Sequence, residues 1–166
     1  MTHYASGKNP LRCNTYFICG LAVIMVAGFY LTLTSKSSVY KDNTPASFIV
    51  QLRPEVSLKG FWSVALVEMF LPKETELKPK YVTANFIQSS VIGESKQPVL
   101  RVFFDDKQHV TFAPEYIQVI DRLLDTLEFE IKDEEGNTLD FGAKDEEGVT
   151  TGETHLRLHF MPFTVV

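Results

Sequence analysis

The residues with the clearest capacity for chemistry lie near the C-terminus, where His155 and His159 are four positions apart. On a helix that spacing puts two imidazoles on one face, the arrangement that ligates a metal ion. On a strand the same rings stand about 13 Å apart, at 3.3 Å per residue, too far to share one ion. The surrounding residues decide for the strand, because Leu156, Leu158 and Phe160 alternate with His155, Arg157 and His159. No metal site is expected from this pair.

Carboxylates cluster as well. The string Lys-Asp-Glu-Glu-Gly occurs twice, at Lys132–Gly136 and at Lys144–Gly148. A calcium loop needs Asp or Asn ligands at alternating positions, which neither copy has, whereas a polar turn ending in glycine is what a hairpin uses. Cys13 and Cys19, the two cysteines, both fall at or inside an apolar N-terminal stretch. The rest of the chain therefore has no disulfide framework, no cysteine zinc cluster and no thiol nucleophile. A Gly-rich phosphate loop and a Gly-x-Ser-x-Gly elbow are also missing, so no catalytic, cofactor-binding or metal-binding residue is named, and no enzyme or cofactor is expected.

The elements around these residues divide the chain in two. Between Arg12 and Lys36 no residue is charged, and 15–33 reads TYFICGLAVIMVAGFYLTL. As a helix rising 1.5 Å per residue, this run matches the roughly 30 Å hydrocarbon core of a bilayer. The stretch predicts a single-pass transmembrane helix carried by Tyr16, Phe17, Ile18, Leu21, Val23, Ile24, Val26, Phe29, Tyr30 and Leu31, with aromatic rings near both ends. A cleaved signal peptide would have a shorter apolar core and an Ala-x-Ala site, and a soluble core helix would keep a polar stripe. Lys8 and Arg12 precede the run while Lys36 and Lys41 follow it, so the flanking charges leave its orientation open. Residues 1–14 then form a basic tail and 34–46 a polar linker ending near Pro45.

Residues 47–166 predict one all-β domain, a jelly-roll-like two-sheet sandwich of about eight strands. Phe48, Val50 and Leu52 alternate with Ile49, Gln51 and Arg53 until Pro54. Gly60–Leu71 is apolar on both faces, as a central strand is, and Pro72 ends it. Further strands are expected at 81–92, 98–104, 109–112, 126–132, 137–141 and 153–160. Pro114–Leu124 offers either one helix or an irregular connection. Leu127–Phe141 reads as a hairpin turning at Asp133-Glu134-Glu135-Gly136. The net charge of −5, with acidic residues crowding 121–153, disfavours nucleic acid as a partner of this domain. No Asn-x-Ser/Thr acceptor occurs, since Asn14-Thr15-Tyr16 and Asn43-Thr44-Pro45 both fail the pattern.

Phe61-Trp62-Ser63-Val64-Ala65-Leu66-Val67-Glu68-Met69, followed by Pro72, resembles the early W-x-V-A-L-x-E-I…P strand of one group of viral proteins. These are the small structural proteins of Polinton/Maverick-type elements and adintovirus-like DNA viruses. Leu124–Ile131 with Asp133, Gly136, Leu139 and Phe141, then Leu156–Phe160, is similar to their I-D-T-I-E-I-x-I…G…I-x-F…L-H-F pattern in order and approximate spacing. The resemblance covers most of 47–160. It implies a jelly-roll minor capsid or vertex-type protein, working in a homo- or hetero-oligomer with other virion structural proteins. Two departures stand out: Met161-Pro162-Phe163 replaces the basic residues that usually follow His-Phe, and the apolar N-terminal stretch is foreign to the family pattern. That stretch adds the lipid bilayer as a partner and places the chain at a virion envelope or at a membrane–capsid junction. A cell-surface ligand or adhesion module tethered to a membrane, with the layout of tumour-necrosis-factor-like ligands, is the competing reading.

Overall fold

Period-two alternation suits a strand that has a core on one side and water on the other. The computed structural model describes residues 28–72, 79–92, 95–104, 107–141 and 152–163, and these form strands without any helix. The strands are β1 (Phe29–Thr34), β2 (Ser47–Ser57), β3 (Phe61–Phe70), β4 (Lys80–Ala84), β5 (Ser90–Ile92), β6 (Ser95–Gln97), β7 (Val99–Phe103), β8 (His109–Thr111), β9 (Ile117–Gln118), β10 (Leu123–Lys132) and β11 (His155–Phe163). All pair antiparallel. One sheet has the order β1-β11-β3-β8, with β9 also on β3, the second has the order β2-β10-β4-β7, and β5 and β6 form a separate hairpin.

The expected inward faces of the last two long strands are the observed ones. Leu127, Phe129 and Ile131 of β10 are buried, as are Leu156, Leu158 and Phe160 of β11. Both sets join a single core with Phe48, Val64, Leu66, Met69, Val82 and Leu100, as a β-sandwich requires. Phe86, in the turn after β4, sits between the layers. Its ring meets Phe129 edge-on at 5.9 Å and stacks near Phe160 at 6.1 Å.

The N-terminal expectation needs correcting. Phe29, Tyr30 and Leu31 do not end a membrane helix; they belong to β1, which pairs with β11 from Phe29↔Phe160 to Thr34↔His155. The reason lies in the local pattern: Phe29 and Leu31 pack against the core and Leu33 is buried, while Tyr30 and Thr32 face out. Tyr16, Phe17, Ile18, Leu21, Val23, Ile24 and Val26 lie outside the described residues. Among the described residues no helix is long and apolar enough to cross a membrane.

The linker expected at 34–46 is a corner of the sandwich, and the domain begins near residue 28, not 47. The Ser35 N–H donates to the Thr154 carbonyl at 2.9 Å, and the Thr154 N–H donates back to the Ser35 hydroxyl at 3.0 Å. Asn43 fastens the turn. Its Nδ2 donates to the carbonyls of Ser35 and Ile49 at 3.0 and 2.9 Å, and its Oδ1 accepts from the Ile49 N–H at 2.9 Å. Asn43→Ala strips partners from part-buried backbone groups, and a loss of about 1–3 kcal/mol is expected in urea unfolding. An unchanged midpoint would show that water replaces the amide without cost.

Other boundaries shift for local reasons. β2 runs past Pro54 to Ser57, with a cis Arg53–Pro54 bond. Proline is tolerated there because β2 is an edge strand and its ladder with β10 is interrupted, Leu124 facing Val56 and Thr126 facing Gln51. The strand expected over 81–92 is split into β4 and β5 by the turn that carries Phe86 inward. Pro114–Leu124 is extended, supplying β9 and the start of β10. The hairpin turn at Asp133–Gly136 is present with Gly136 at φ +88°, but its return arm makes only a bridge, Lys132↔Thr138, in place of a strand over 137–141.

Candidate interaction face

Strand register decides which side chains share the outer face of the first sheet. Thr34, His155, Phe70 and His109 form one row across β1, β11, β3 and β8, and Thr32, Arg157, Glu68 and Thr111 form the next. Tyr30, His159 and Ala65 follow, then Met161, Ser63 and Gln118, and finally Phe163 beside Phe61. A bulge in β3 keeps these rows in phase. Arg157 faces Glu68 while Leu158 faces Leu66, so Val67 is the extra residue. It lets Leu66 and Met69 both turn inward while Glu68 and Phe70 remain outside.

The charged half of the face is wired together. His109 Nε2 lies 2.8 Å from one Glu68 oxygen, and an Arg157 NH1 donates to the other at 3.4 Å. The Glu68 carboxyl is held below its ordinary 4.5, chiefly by the hydrogen bond from His109, with partial desolvation opposing and Arg157 adding. His109 stacks on Phe70 at 4.0 Å, and Phe70 presents its edge towards His155. His155 reaches Glu153 at 3.4 Å, and Lys36 bridges the same carboxylate at 3.1 Å. Glu153 is also lowered, first by the Lys36 hydrogen bond. Arg157 lies over the Tyr30 ring at 4.8 Å, His159 stacks on that ring at 4.3 Å, and the Tyr116 hydroxyl meets His159 Nδ1 at 2.7 Å.

His155 and His159 thus share a face but serve different partners, as expected of a strand. A depression of about 400 Å³ among Thr32, Glu68, Phe70, His155, Leu156 and Arg157 collects three ionisable groups. Thr34 donates to Glu153, a carboxylate that Lys36 and His155 also engage, and not to His155. Glu68 is shared between His109 and Arg157. Among the described residues no group of three or more His, Cys, Asp or Glu is placed to hold a metal. In the Asp133 turn the carboxylate accepts from the backbone N–H groups of Glu135 and Asn137 at 2.9 and 2.8 Å, so it is occupied by its own loop. The second Lys-Asp-Glu-Glu-Gly lies outside the described residues.

The other half is apolar. Phe61, Phe163, Tyr30, Tyr116 and Met161 are exposed by 54, 61, 56, 44 and 37%. A second depression of about 350 Å³ lies among Phe61, Trp62, Ser63, Tyr116, Gln118 and Phe163. On the outer face of the other sheet charged and apolar residues mix: Glu128 pairs with Ile49, Glu130 with Ser47 and Thr83, and Tyr81 with Lys132 and Val102.

A pH test follows from Glu68. Its folded pKa is depressed, so the stability it adds is full above the ordinary 4.5 and is lost as pH falls through the lower folded value. In thermal melts against pH, Glu68→Gln should lie below the native chain at neutral pH and converge with it in acid. The gap is expected to be small and salt-sensitive for so exposed a group. Parallel curves would remove Glu68 from the network.

His109, Glu68 and Tyr116 were not marked by the sequence as members of one surface, whereas Trp62 is buried in the core as expected. Glu68 and His109 are 41 positions apart, and nothing local signals a cross-strand pair at that separation. Comparison of this chain with protein-family models, with characterised proteins and with solved structures finds no match.

Proposed function

We propose that this chain is a structural protein of a virion, a jelly-roll module that makes assembly contacts through the outer face of its first sheet and is fastened to a membrane by its N-terminal apolar segment. The observation that carries this reading is the strand order. With β8 and β9 counted as one interrupted strand and the β5–β6 hairpin as an insertion, there are eight strands. The first, eighth, third and sixth make one sheet, and the second, seventh, fourth and fifth make the other. This order supports the reading as the double Greek key of a jelly roll, an architecture used by viral shells and also by lectins and cupins. Fold alone does not choose among these.

Two further points favour the shell. The stretches that resemble Polinton and adintovirus structural proteins are β3, β10 and β11, the inner strands on which both sheets are built. The charged half of the outer face of the first sheet, where His109, Glu68 and Arg157 surround the exposed Phe70, has the make-up of an interface with protein neighbours. The membrane-inserted segment of this reading lies before Gly28, since Phe29–Leu33 belong to the domain.

The test is sedimentation of particles made by the genome that encodes the chain. The protein is expected to band with them and to be released when detergent strips lipid. Its absence from purified particles would overturn the reading.

A further inference from the structure

We propose that the end of the sandwich at which β1 begins is a membrane-apposed surface, where Tyr30, Phe61, Tyr116, Met161 and Phe163 enter the interfacial layer of a lipid bilayer. The inference rests on the reading of the N-terminal segment as membrane-inserted and adds a second, independent set of lipid contacts. On this account the domain is seated on the bilayer and does not swing from a stalk.

The place where the chain enters the domain comes first. Phe29 pairs with Phe160, so Gly28 stands level with Met161. A Cβ at Gly28 would lie 2.5 Å from the Phe160 carbonyl oxygen, 2.7 Å from Met161 Sδ and 2.9 Å from His159 Nε2. Only glycine fits so close to that strand. Met161 and His159 both project from the outer face, so the preceding segment joins the domain among its outward side chains. Phe163 and Phe61 are the next row along. The apolar end of the face and the root of the apolar segment therefore coincide.

Length is the second argument. With Gly28 packed against β11 and Phe29–Thr34 taken by β1, the charge-free residues left before the domain are 13–27, fifteen in number. As a helix they would cover about 22 Å, some 8 Å less than a hydrocarbon core of roughly 30 Å. A short span is accommodated by drawing its flanks into the membrane, and here the flank is the domain itself.

The chemistry of that end agrees. Tyr30 and Tyr116 combine an apolar ring with a polar tip, which suits the headgroup boundary, and Phe61, Phe163 and Met161 supply apolar area. Ile120, 57% exposed, extends the patch, since the Val119 N–H before it donates to the Trp62 carbonyl at 2.8 Å. Lys59 and Arg122 are exposed at the same end, close together through the Leu58 N–H to Arg122 carbonyl bond, and their stems can lie along the apolar rim. Asp121 is exposed beside them and offsets one of the two positive charges. Lys36, Glu153, His155 and His109 all lie at the opposite end of the face.

The chain carries its own probes. Trp62, its one tryptophan, lines the apolar depression, and Cys13 and Cys19 are its two cysteines. The experiment reconstitutes the full chain, as Cys13→Ser with an environment-sensitive dye on Cys19, into phosphatidylcholine vesicles with or without a nitroxide near the lipid headgroup. The dye on Cys19 should report lipid and Trp62 should be quenched. Phe61→Ser with Phe163→Ser, both exposed and so harmless to folding, should shift the seated-to-free equilibrium by about tenfold or more and relieve the quenching. Phe104→Ser, 63% exposed at the other end, should leave it unchanged.

Cys19 in lipid with Trp62 unquenched overturns the seated domain and leaves the membrane attachment standing. Quenching that survives the double substitution overturns the role of the aromatic rim. A dye on Cys19 that reports no lipid overturns the attachment and this inference with it, and its proximity to Trp62 would then mean that the segment covers the face itself.

Discussion

A chain that begins at Ser47 is expected not to fold, whereas one that begins at Gly28 is expected to unfold cooperatively in urea. The shorter chain lacks β1, so Leu33 leaves the core, Phe29 and Leu31 no longer cover it, and β11 loses the partner that satisfies one edge. Each buried apolar side chain is worth about 1.5–3 kcal/mol, and a domain's whole stability is about 5–15 kcal/mol. Removal of the Ser35–Thr154 exchange and of the Asn43 turn adds to the deficit. Circular dichroism with urea titration on both chains decides the matter. A cooperative transition from the chain starting at Ser47 would restore residues 34–46 to the role of a linker.

Phe86→Ala should be the most damaging single substitution at the centre of the sandwich. The ring is fully buried and touches one aromatic from each sheet, Phe129 of β10 and Phe160 of β11. Truncating a buried phenylalanine costs about 3–5 kcal/mol, part of it from the cavity left when neighbours cannot collapse. Here the two layers are held apart by their own hydrogen-bonded ladders, so little collapse is available. The urea midpoint should fall with the slope unchanged. Combining Phe86→Ala with Phe160→Ala should cost less than the sum, because the two share one void. Strict additivity would mean that the rings do not act as one cluster.

How much of this could be read beforehand depended on whether a signal was local. Over Thr126–Lys132 of β10 and His155–Phe160 of β11 apolar and polar residues alternate, and the buried faces there could be named residue by residue. The turn at Asp133–Gly136 was equally legible, because its carboxylate and glycine act within four residues of each other. β1 carried the same alternation in Phe29-Tyr30-Leu31-Thr32-Leu33-Thr34, but it adjoins an apolar run, and average hydropathy concealed a period of two. Thr34–Ala46 looked like a stalk because its polar side chains resemble those of a solvated linker. Asn43 spends its amide on backbone 6 and 8 residues away, which composition does not reveal. The interaction face was the least legible part. It exists only through registers such as Glu68↔Arg157 and Phe70↔His109, which join strands far apart in the chain.

The placement of β11 between β1 and β3 has a further consequence, in the order of events during synthesis. β1 and β3 are made early, yet each must wait for the last strand of the chain before the sheet that contains them can close. Contacts of such sequence separation form late and make folding slow. A ribosome that has completed residues 1–150 therefore holds a half-sandwich whose first strand has no neighbour. The aromatic and histidine surface is assembled from both ends of the chain at once. That face is therefore complete only once β11 has joined β1 to β3, so a partner reading it would distinguish a closed sheet from an open one.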